Sequence, residues 1–171
     1  IHQDRSLLVL NKPSGLLSVP GRGEDKQDSL LTRARKRFAD AECVHRLDME
    51  TSGLMILARG KQAQRMLNCL FQQRRVHKQY EAVVAGKLDS RDGTINLPLI
   101  CDWPNRPRQK VDHSHGKPSI THFRVLGHDK QRDATRVVLY PETGRSHQLR
   151  IHMQSLGHSI LGDRLYAARV S

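Results

Sequence analysis

The side chains best suited to chemistry in this 171-residue chain fall in one short stretch, Val44-His45-Arg46-Leu47-Asp48-Met49-Glu50-Thr51-Ser52-Gly53-Leu54. An imidazole, a guanidinium and a carboxylate lie within four consecutive positions there. A carboxylate beside an arginine stays ionised and oriented, because the opposite charge favours the charged form. Partly withdrawn from water, such a carboxylate can act as nucleophile or base at a sugar carbon. A second guanidinium, Arg145, stands in the polar segment Pro141-Glu142-Thr143-Gly144-Arg145-Ser146-His147-Gln148-Leu149-Arg150. Spacing alone does not bring Asp48 and Arg145 together.

Other chemistries find less support. There are 10 histidines, but His113 and His115 fall in a loop. His147 and His152 are five apart, about 140° around a helix and so not on one face. With no HExxH, CxxC or paired-carboxylate pattern, no metal site is expected. Neither GxxxxGK[ST] nor GxGxxG occurs, so no nucleotide cofactor is implied, and no GxSxG elbow is present. Cys43, Cys69 and Cys101 are odd in number and widely spaced, which reads as reduced thiols of a cytosolic protein.

The elements that must position these groups can be read from periodicity. Ser6 to Leu10 is a short apolar run expected to form a buried strand, ended by the turn Asn11-Lys12-Pro13-Ser14-Gly15. Asp28-Ser29 can cap a helix through Phe38, with Leu30, Leu31, Ala34 and Phe38 inward and Arg33, Lys36 and Arg37 outward. Leu54 to Ala58 is a second buried run. Ala63, Met66, Leu67, Leu70 and Phe71 recur at helical spacing, predicting an amphipathic helix over Lys61–Gln73 with Met66 and Phe71 in the core. Arg74-Arg75-Val76-His77-Lys78 supplies cations suited to its C-terminus. Gln79 to Ala85 reads as a strand stopped at Gly86.

Lys87 to Pro118 is the least regular part. Its Cys101-Asp102-Trp103-Pro104-Asn105-Arg106-Pro107-Arg108-Gln109-Lys110 reads either as a basic loop gripping a nucleic-acid backbone or as a packed crossover anchored by Trp103. Strands are expected over Ile120–Leu126 and Arg136–Tyr140, joined by a turn at Gly127-His128-Asp129-Lys130. Ser146 is a plausible N-cap for a helix ending at Gly157, with Leu149, Met153 and Leu156 on one face. No repeat or linker supports a domain boundary, so a single domain is expected.

Charge narrows the partner. Lys and Arg total 29 against 17 Asp and Glu, a net charge of +12. That excess points to a polyanion. No apolar run approaches a membrane span, no leader opens the chain, and only 4% of residues are aromatic, so nucleic acid is favoured over a membrane surface.

Four separated stretches carry a resemblance. Leu10-Asn11-Lys12-Pro13-Ser14-Gly15-Leu16, His45-Arg46-Leu47-Asp48-Met49-Glu50-Thr51-Ser52-Gly53-Leu54, Lys78-Gln79-Tyr80 and Gly144-Arg145-Ser146-His147-Gln148-Leu149-Arg150 together resemble the RluA-type pseudouridine synthases in order and interval. The resemblance implies an α+β fold, a long mixed, mainly antiparallel sheet with flanking helices and a central RNA-binding cleft. It implies isomerisation of uridine to pseudouridine in RNA: the N1–C1′ bond breaks, the uracil turns, and C5 rejoins C1′, with no cofactor. Asp48 matches the family's catalytic aspartate, Tyr80 the tyrosine that stacks on the target uracil, and Arg145 the basic residue paired with the aspartate.

Arg46 matches the arginine that displaces the flipped nucleotide, Leu149 a packing residue at the pocket, and His45 joins them in binding substrate. The aspartate's role stays open among attack at C1′, addition to the uracil ring and removal of the 2′ proton. Arg74, Arg75, Arg106, Arg108 and Lys110 are candidates for the RNA backbone. The loop Leu97 to Pro107 resembles the branch that acts on 23S rRNA and on tRNA anticodon stem-loops. A cytoplasmic monomer is expected. Relatives continue past the residues at which this chain stops, Gly162 to Ser171, with a segment that completes the sheet, and many carry an S4 domain that is not seen here. Two further readings stay open: a non-catalytic RNA-binding or RNA-chaperone protein on the same fold, and a nuclease using Asp48 and histidines. Tritium release from uracil C5 separates them.

Overall fold

The computed structural model describes residues 1–167. The chain divides into two compact units, Ile1–Val76 and His77–Ser171.

The first unit is built on a four-stranded antiparallel sheet. Its strands are β1 (His2–Gln3), β2 (Leu7–Lys12), β3 (Ala41–Cys43) and β4 (Gly53–Arg59), in the order β1-β2-β4-β3. The apolar run of β2 pairs with that of β4, Leu8 opposite Leu57 and Leu10 opposite Met55. Leu8, Met55 and Leu57 are fully buried, as alternation on a one-sided sheet requires. The same register sets Lys12 opposite Gly53, whose φ of +124° suits a residue without a Cβ.

Helix α1 (Leu30–Arg35) starts as expected, with the Ser29 Oγ accepting from the Thr32 N–H. It is shorter than the apolar pattern suggests, and Phe38 lies half-buried beyond its end with the Arg37 and Arg59 guanidinium groups over its ring. Helix α2 (Gly60–Gln72) packs against β3 and β4. None of its residues is fully buried, and Met66 is 65% exposed. Met66 is therefore not a core residue, and Phe71 is only half-buried: a helix packed on one side of a small sheet has neighbours on only part of its apolar stripe. Leu54, at the head of its run, is likewise exposed.

The second unit carries the sheet β5-β10-β9-β6, antiparallel throughout, from β5 (Tyr80–Ala85), β6 (Asp92–Asn96), β9 (Ile120–Asp129) and β10 (Ala134–Pro141). A separate ribbon pairs β7 (Leu99–Cys101) with β8 (Gln109–Val111). Residues 87–118 are thus more ordered than their sequence suggests. Gly93 stands opposite Phe123, and a Cβ on Gly93 would lie 2.6 Å from that ring. The turn expected at 127–130 falls later, because β9 continues through Gly127, His128 and Asp129. The register shifts between Arg136 and Val137, leaving Leu126 as an extra residue between pairs Val125–Val137 and Gly127–Arg136. Such a bulge breaks the alternation by which a strand is read.

Val84, Leu88, Ile95, Phe123, Val137, Leu139 and Met153 form the main core of this unit. Leu99, Ile151 and Tyr166 form a second cluster. Helix α3 (Gln148–Ser155) joins the two through Met153 and Ile151. It begins after His147, held at φ 54°, and Ser146 is not its N-cap. Leu156 is exposed, so it does not extend the inner face of α3. Among the described residues three α-helices and antiparallel sheets make the fold α+β, as expected.

Candidate active site

The loop bearing Asp48 is held along its backbone by the turn that follows β2. Ser18 Oγ donates to the Leu47 carbonyl at 2.6 Å and accepts from the Leu47 N–H at 3.0 Å. The Met49 carbonyl accepts from the Gly15 N–H and from Lys12 Nζ, both at 2.9 Å. Ser14 Oγ donates to the Glu50 carbonyl at 2.7 Å. The residues on either side of Asp48 are therefore both tied to the segment Lys12–Ser18. The Thr51 N–H closes the turn by donating to the Asp48 carbonyl at 3.1 Å.

Lys12 is the least expected member. Its side chain is 0% exposed, and its ammonium also donates to the carbonyls of Leu16 (2.7 Å) and Pro13 (3.0 Å). Burial pushes its pKa below the ordinary lysine value, and the charges of Asp48 and Glu50 oppose that shift. A buried cation of this kind needs carbonyl partners and negative charge nearby, and this loop supplies both. Within the turn Asn11-Lys12-Pro13-Ser14-Gly15 nothing marks Lys12 for a role of its own. One signal was present: Leu8, Leu10 and Lys12 share a face of β2 by period two, so Lys12 continues the inward row.

His45 and Arg46 part company. The Ile56 N–H donates to His45 Nε2 at 2.9 Å, which places the ring's proton on Nδ1, and the ring stacks on Phe71 with centroids 4.7 Å apart. His45 thereby fastens the loop to β4 and α2. Arg46 is exposed, and Asp48 is half-buried. Arg74 and Arg75 are exposed at the end of α2, with Arg74 at φ 57°.

In the second unit the candidates gather around β5, β10 and the start of α3. Tyr80 opens β5 opposite Leu139, and both Tyr80 and Leu149 pack against the main core. Lys78 Nζ donates to the Thr143 carbonyl at 3.0 Å, tying the strand's approach to the turn that bears Arg145.

Gln148 organises that turn. Its Oε1 accepts from the Arg145 N–H (3.0 Å) and the Thr143 hydroxyl (2.7 Å). Its Nε2 donates to the Ile120 carbonyl (2.9 Å) and to Thr121 Oγ1 (3.0 Å). Thr121 in turn donates to Nδ1 of the fully buried His152 at 2.9 Å, and His152 Nε2 donates to the Leu97 carbonyl at 3.1 Å. Burial lowers the His152 pKa, which keeps the ring neutral. Arg145 itself is exposed, with Nε donating to the Pro118 carbonyl at 3.3 Å.

Arg150 closes on Asp163 through two bonds of 2.6 and 2.7 Å. Burial raises the Asp163 pKa, but the Arg150 guanidinium and the Leu165 and Tyr166 N–H groups outweigh it and leave the carboxyl below its ordinary value. Gln148 thus positions the turn that contains Arg145, and His152 and Arg150 fasten α3 behind it. Among the described residues no three His, Cys, Asp or Glu side chains are grouped to hold a metal ion. No helix there is long and apolar enough to cross a membrane.

A family model described as RNA pseudouridylate synthase matches residues 6–155, which span every element from β2 through α3. The chain belongs to the RNA pseudouridylate synthase family. It is an isomerase of that family. The dual-specificity RNA pseudouridine synthase RluA of Escherichia coli (strain K12) is 54% identical over 168 residues, covering 98% of this chain and 76% of that protein. The protein of the same name from Vibrio parahaemolyticus is 54% identical over 170 residues, covering 98% of this chain and 68% of that protein. Two solved structures of RNA pseudouridylate synthase relatives share the fold. Human RNA pseudouridylate synthase domain containing 1 has a TM-score of 0.82 at 32% identity, covering 99% of this chain and 69% of that one. Human RNA pseudouridylate synthase domain containing 4 has a TM-score of 0.76 at 29% identity, covering 98% and 68%.

Proposed function

We propose that this pseudouridine synthase uses Asp48 as its reacting carboxylate, with Tyr80 stacking on the target uracil and Arg145 countering negative charge during the reaction. The observation that carries the reading is the pinned loop: Leu47 and Met49 are both hydrogen-bonded to the Lys12–Ser18 turn. Pre-organising a single carboxylate in this way lowers the cost of placing it against a sugar or base. In the reaction the N1–C1′ bond breaks, the C5–C1′ bond forms, N1 gains a proton and the C5 hydrogen leaves. Composition is unchanged, so no donor or redox partner is required.

The substrate is RNA, with 23S rRNA and tRNA anticodon stem-loops as the targets. The resemblance of the loop at 97–107 and the printed name shared by the RluA relatives support this reading. A target base in a loop leaves its stack at lower cost than one in a duplex. Exposed Arg46 is suited to fill the vacated position, and Leu149 to line the uracil's pocket. His45 acts by holding the loop. Arg74, Arg75, Arg106, Arg108 and Lys110 are exposed cations and the candidates for contact with phosphates. The protein works as a cytoplasmic monomer, and the whole chain serves as one catalytic domain.

The test is release of tritium from RNA labelled at uracil C5, because only C5 glycosylation expels that hydrogen. Asp48→Asn should abolish release while RNA affinity changes little. Release that persists in Asp48→Asn would overturn the assignment. Strand cleavage by the wild-type protein would revive the nuclease.

A further inference from the structure

The ribbon β7–β8 displays the only tryptophan of the chain, and it is not an anchor. Trp103 is 65% exposed, although the Arg106 guanidinium lies 4.4 Å from its ring centroid. A cation thus lies over the indole ring while most of the side chain remains open to solvent. The loop that holds it is well defined. The Asp102 N–H donates to the Arg108 carbonyl, the Asn105 N–H to Asp102 and the Arg108 N–H to Asn105, all at 3.0 Å. Asn105 Nδ2 donates to the Asp102 carboxylate at 2.9 Å, and the Gln109 N–H donates to Tyr166 Oη at 2.8 Å. A large aromatic ring left mostly in water by a hydrogen-bonded loop contributes little burial to the fold. Its place is accounted for by a partner with a flat π-face.

We propose that Trp103, backed by Arg106, is a stacking platform for an unpaired RNA base, with Arg108 and Lys110 on the same ribbon neutralising the adjacent phosphates. This deepens the proposed function and rests on RNA being the substrate. Charge selects the partner. Arg106, Arg108 and Lys110 are all exposed. Of the nearby carboxylates, Asp102 is held by Asn105. Asp112 accepts from the Ser114 and His115 N–H groups and lies 4.0 Å from the Lys110 ammonium, so Arg108 is the stronger candidate for phosphate contact. Stacking with an arginine on the far face is tolerant of base identity and depends on bases being unpaired. Membrane insertion fits less well. Trp103 is flanked by Pro104, Asn105 and Arg106, and no other large apolar side chain of the loop is exposed to bury in lipid.

Because Trp103 is the single tryptophan, its fluorescence reads this site alone. Oligo(U) should quench it saturably, whereas an RNA duplex of equal charge, or inorganic polyphosphate, should bind without quenching. Trp103→Ala should weaken oligo(U) binding about tenfold and leave its salt dependence unchanged, and Trp103→Phe should restore most of the loss. Arg108→Ala should instead lower the salt slope by about 0.7. Equal quenching by duplex or polyphosphate would overturn the platform. So would an unchanged affinity in Trp103→Ala, or a stronger response to anionic phospholipid vesicles than to RNA. Tritium release is read separately: quenching without release would retain the platform and count against the catalytic reading, and release without quenching would do the reverse.

Discussion

Lys12 Nζ donates to the backbone oxygen of Met49 at 2.9 Å, from a side chain entirely removed from solvent. An ammonium at the end of one strand thus sets the position of the residue immediately after Asp48. The stretch Leu10–Leu16 and the stretch His45–Leu54, far apart in sequence, are two halves of one device, the first gripping what the second presents.

Replacing Lys12 with Met keeps the buried volume and removes the donor. The Leu16 and Pro13 carbonyls then lose this partner, and the buried site loses a charge that Asp48 and Glu50 favour. A loss of about 3 kcal/mol in urea denaturation is expected. Tritium release at a temperature where the variant is folded should fall more than RNA affinity. Unchanged turnover in a folded Lys12→Met protein would show that the pinning does not serve the reaction.

Gln148→Leu should act through the Arg145 turn. The substitution removes four hydrogen bonds, including the one that receives the Arg145 N–H. Stability should fall by about 3 kcal/mol, because the buried Thr143 and Thr121 hydroxyls lose partners. Turnover should fall with the Michaelis constant little changed, which steady-state kinetics on an RNA substrate will read.

Arg150 and Asp163 form an ion pair in which the Asp163 side chain is 4% exposed. Removing one partner of such a pair leaves a buried charge uncompensated, so Arg150→Met should cost about 3–5 kcal/mol. The double replacement Arg150→Met, Asp163→Leu should recover much of that loss. Thermal denaturation of the single and double variants checks both statements.

His152 predicts a pH dependence of stability. Its folded pKa lies below the ordinary value of 6.5, so the unfolded chain takes up a proton that the folded protein resists. The contribution is fully present above pH 6.5 and is lost as pH falls through the lower folded value, with a slope of at most about 1.4 kcal/mol per pH unit. His152→Gln retains a donor for the Leu97 carbonyl and an acceptor for Thr121, and it should flatten the melting-temperature profile just below pH 6.5.

Local pattern carried much of what the chain determines about itself. The runs at Leu7–Leu10 and Leu54–Ala58, the helical spacing of Ala63 to Phe71 and the alternation at Tyr80–Ala85 each specify an element through its own side chains. The cluster His45-Arg46-Leu47-Asp48 and the segment around Arg145 were likewise visible as residues able to do chemistry. Tertiary structure decided what those residues face. Met66 obeys the helical period yet stands in water, because α2 is covered on one side only. Lys12 looks like a turn residue and is buried, because carbonyls from three separate positions converge on its ammonium. Strands β6, β7 and β8 carry little periodicity of their own; β6 exists because β9 offers it hydrogen bonds, and β7 and β8 because they pair with each other. Trp103 could have been an anchor by composition, and only its exposed ring beside Arg106 makes it a surface. Periodicity records how a segment meets the nearest layer, whereas burial, charge compensation and the satisfaction of backbone groups depend on partners distant in sequence, which no local window contains.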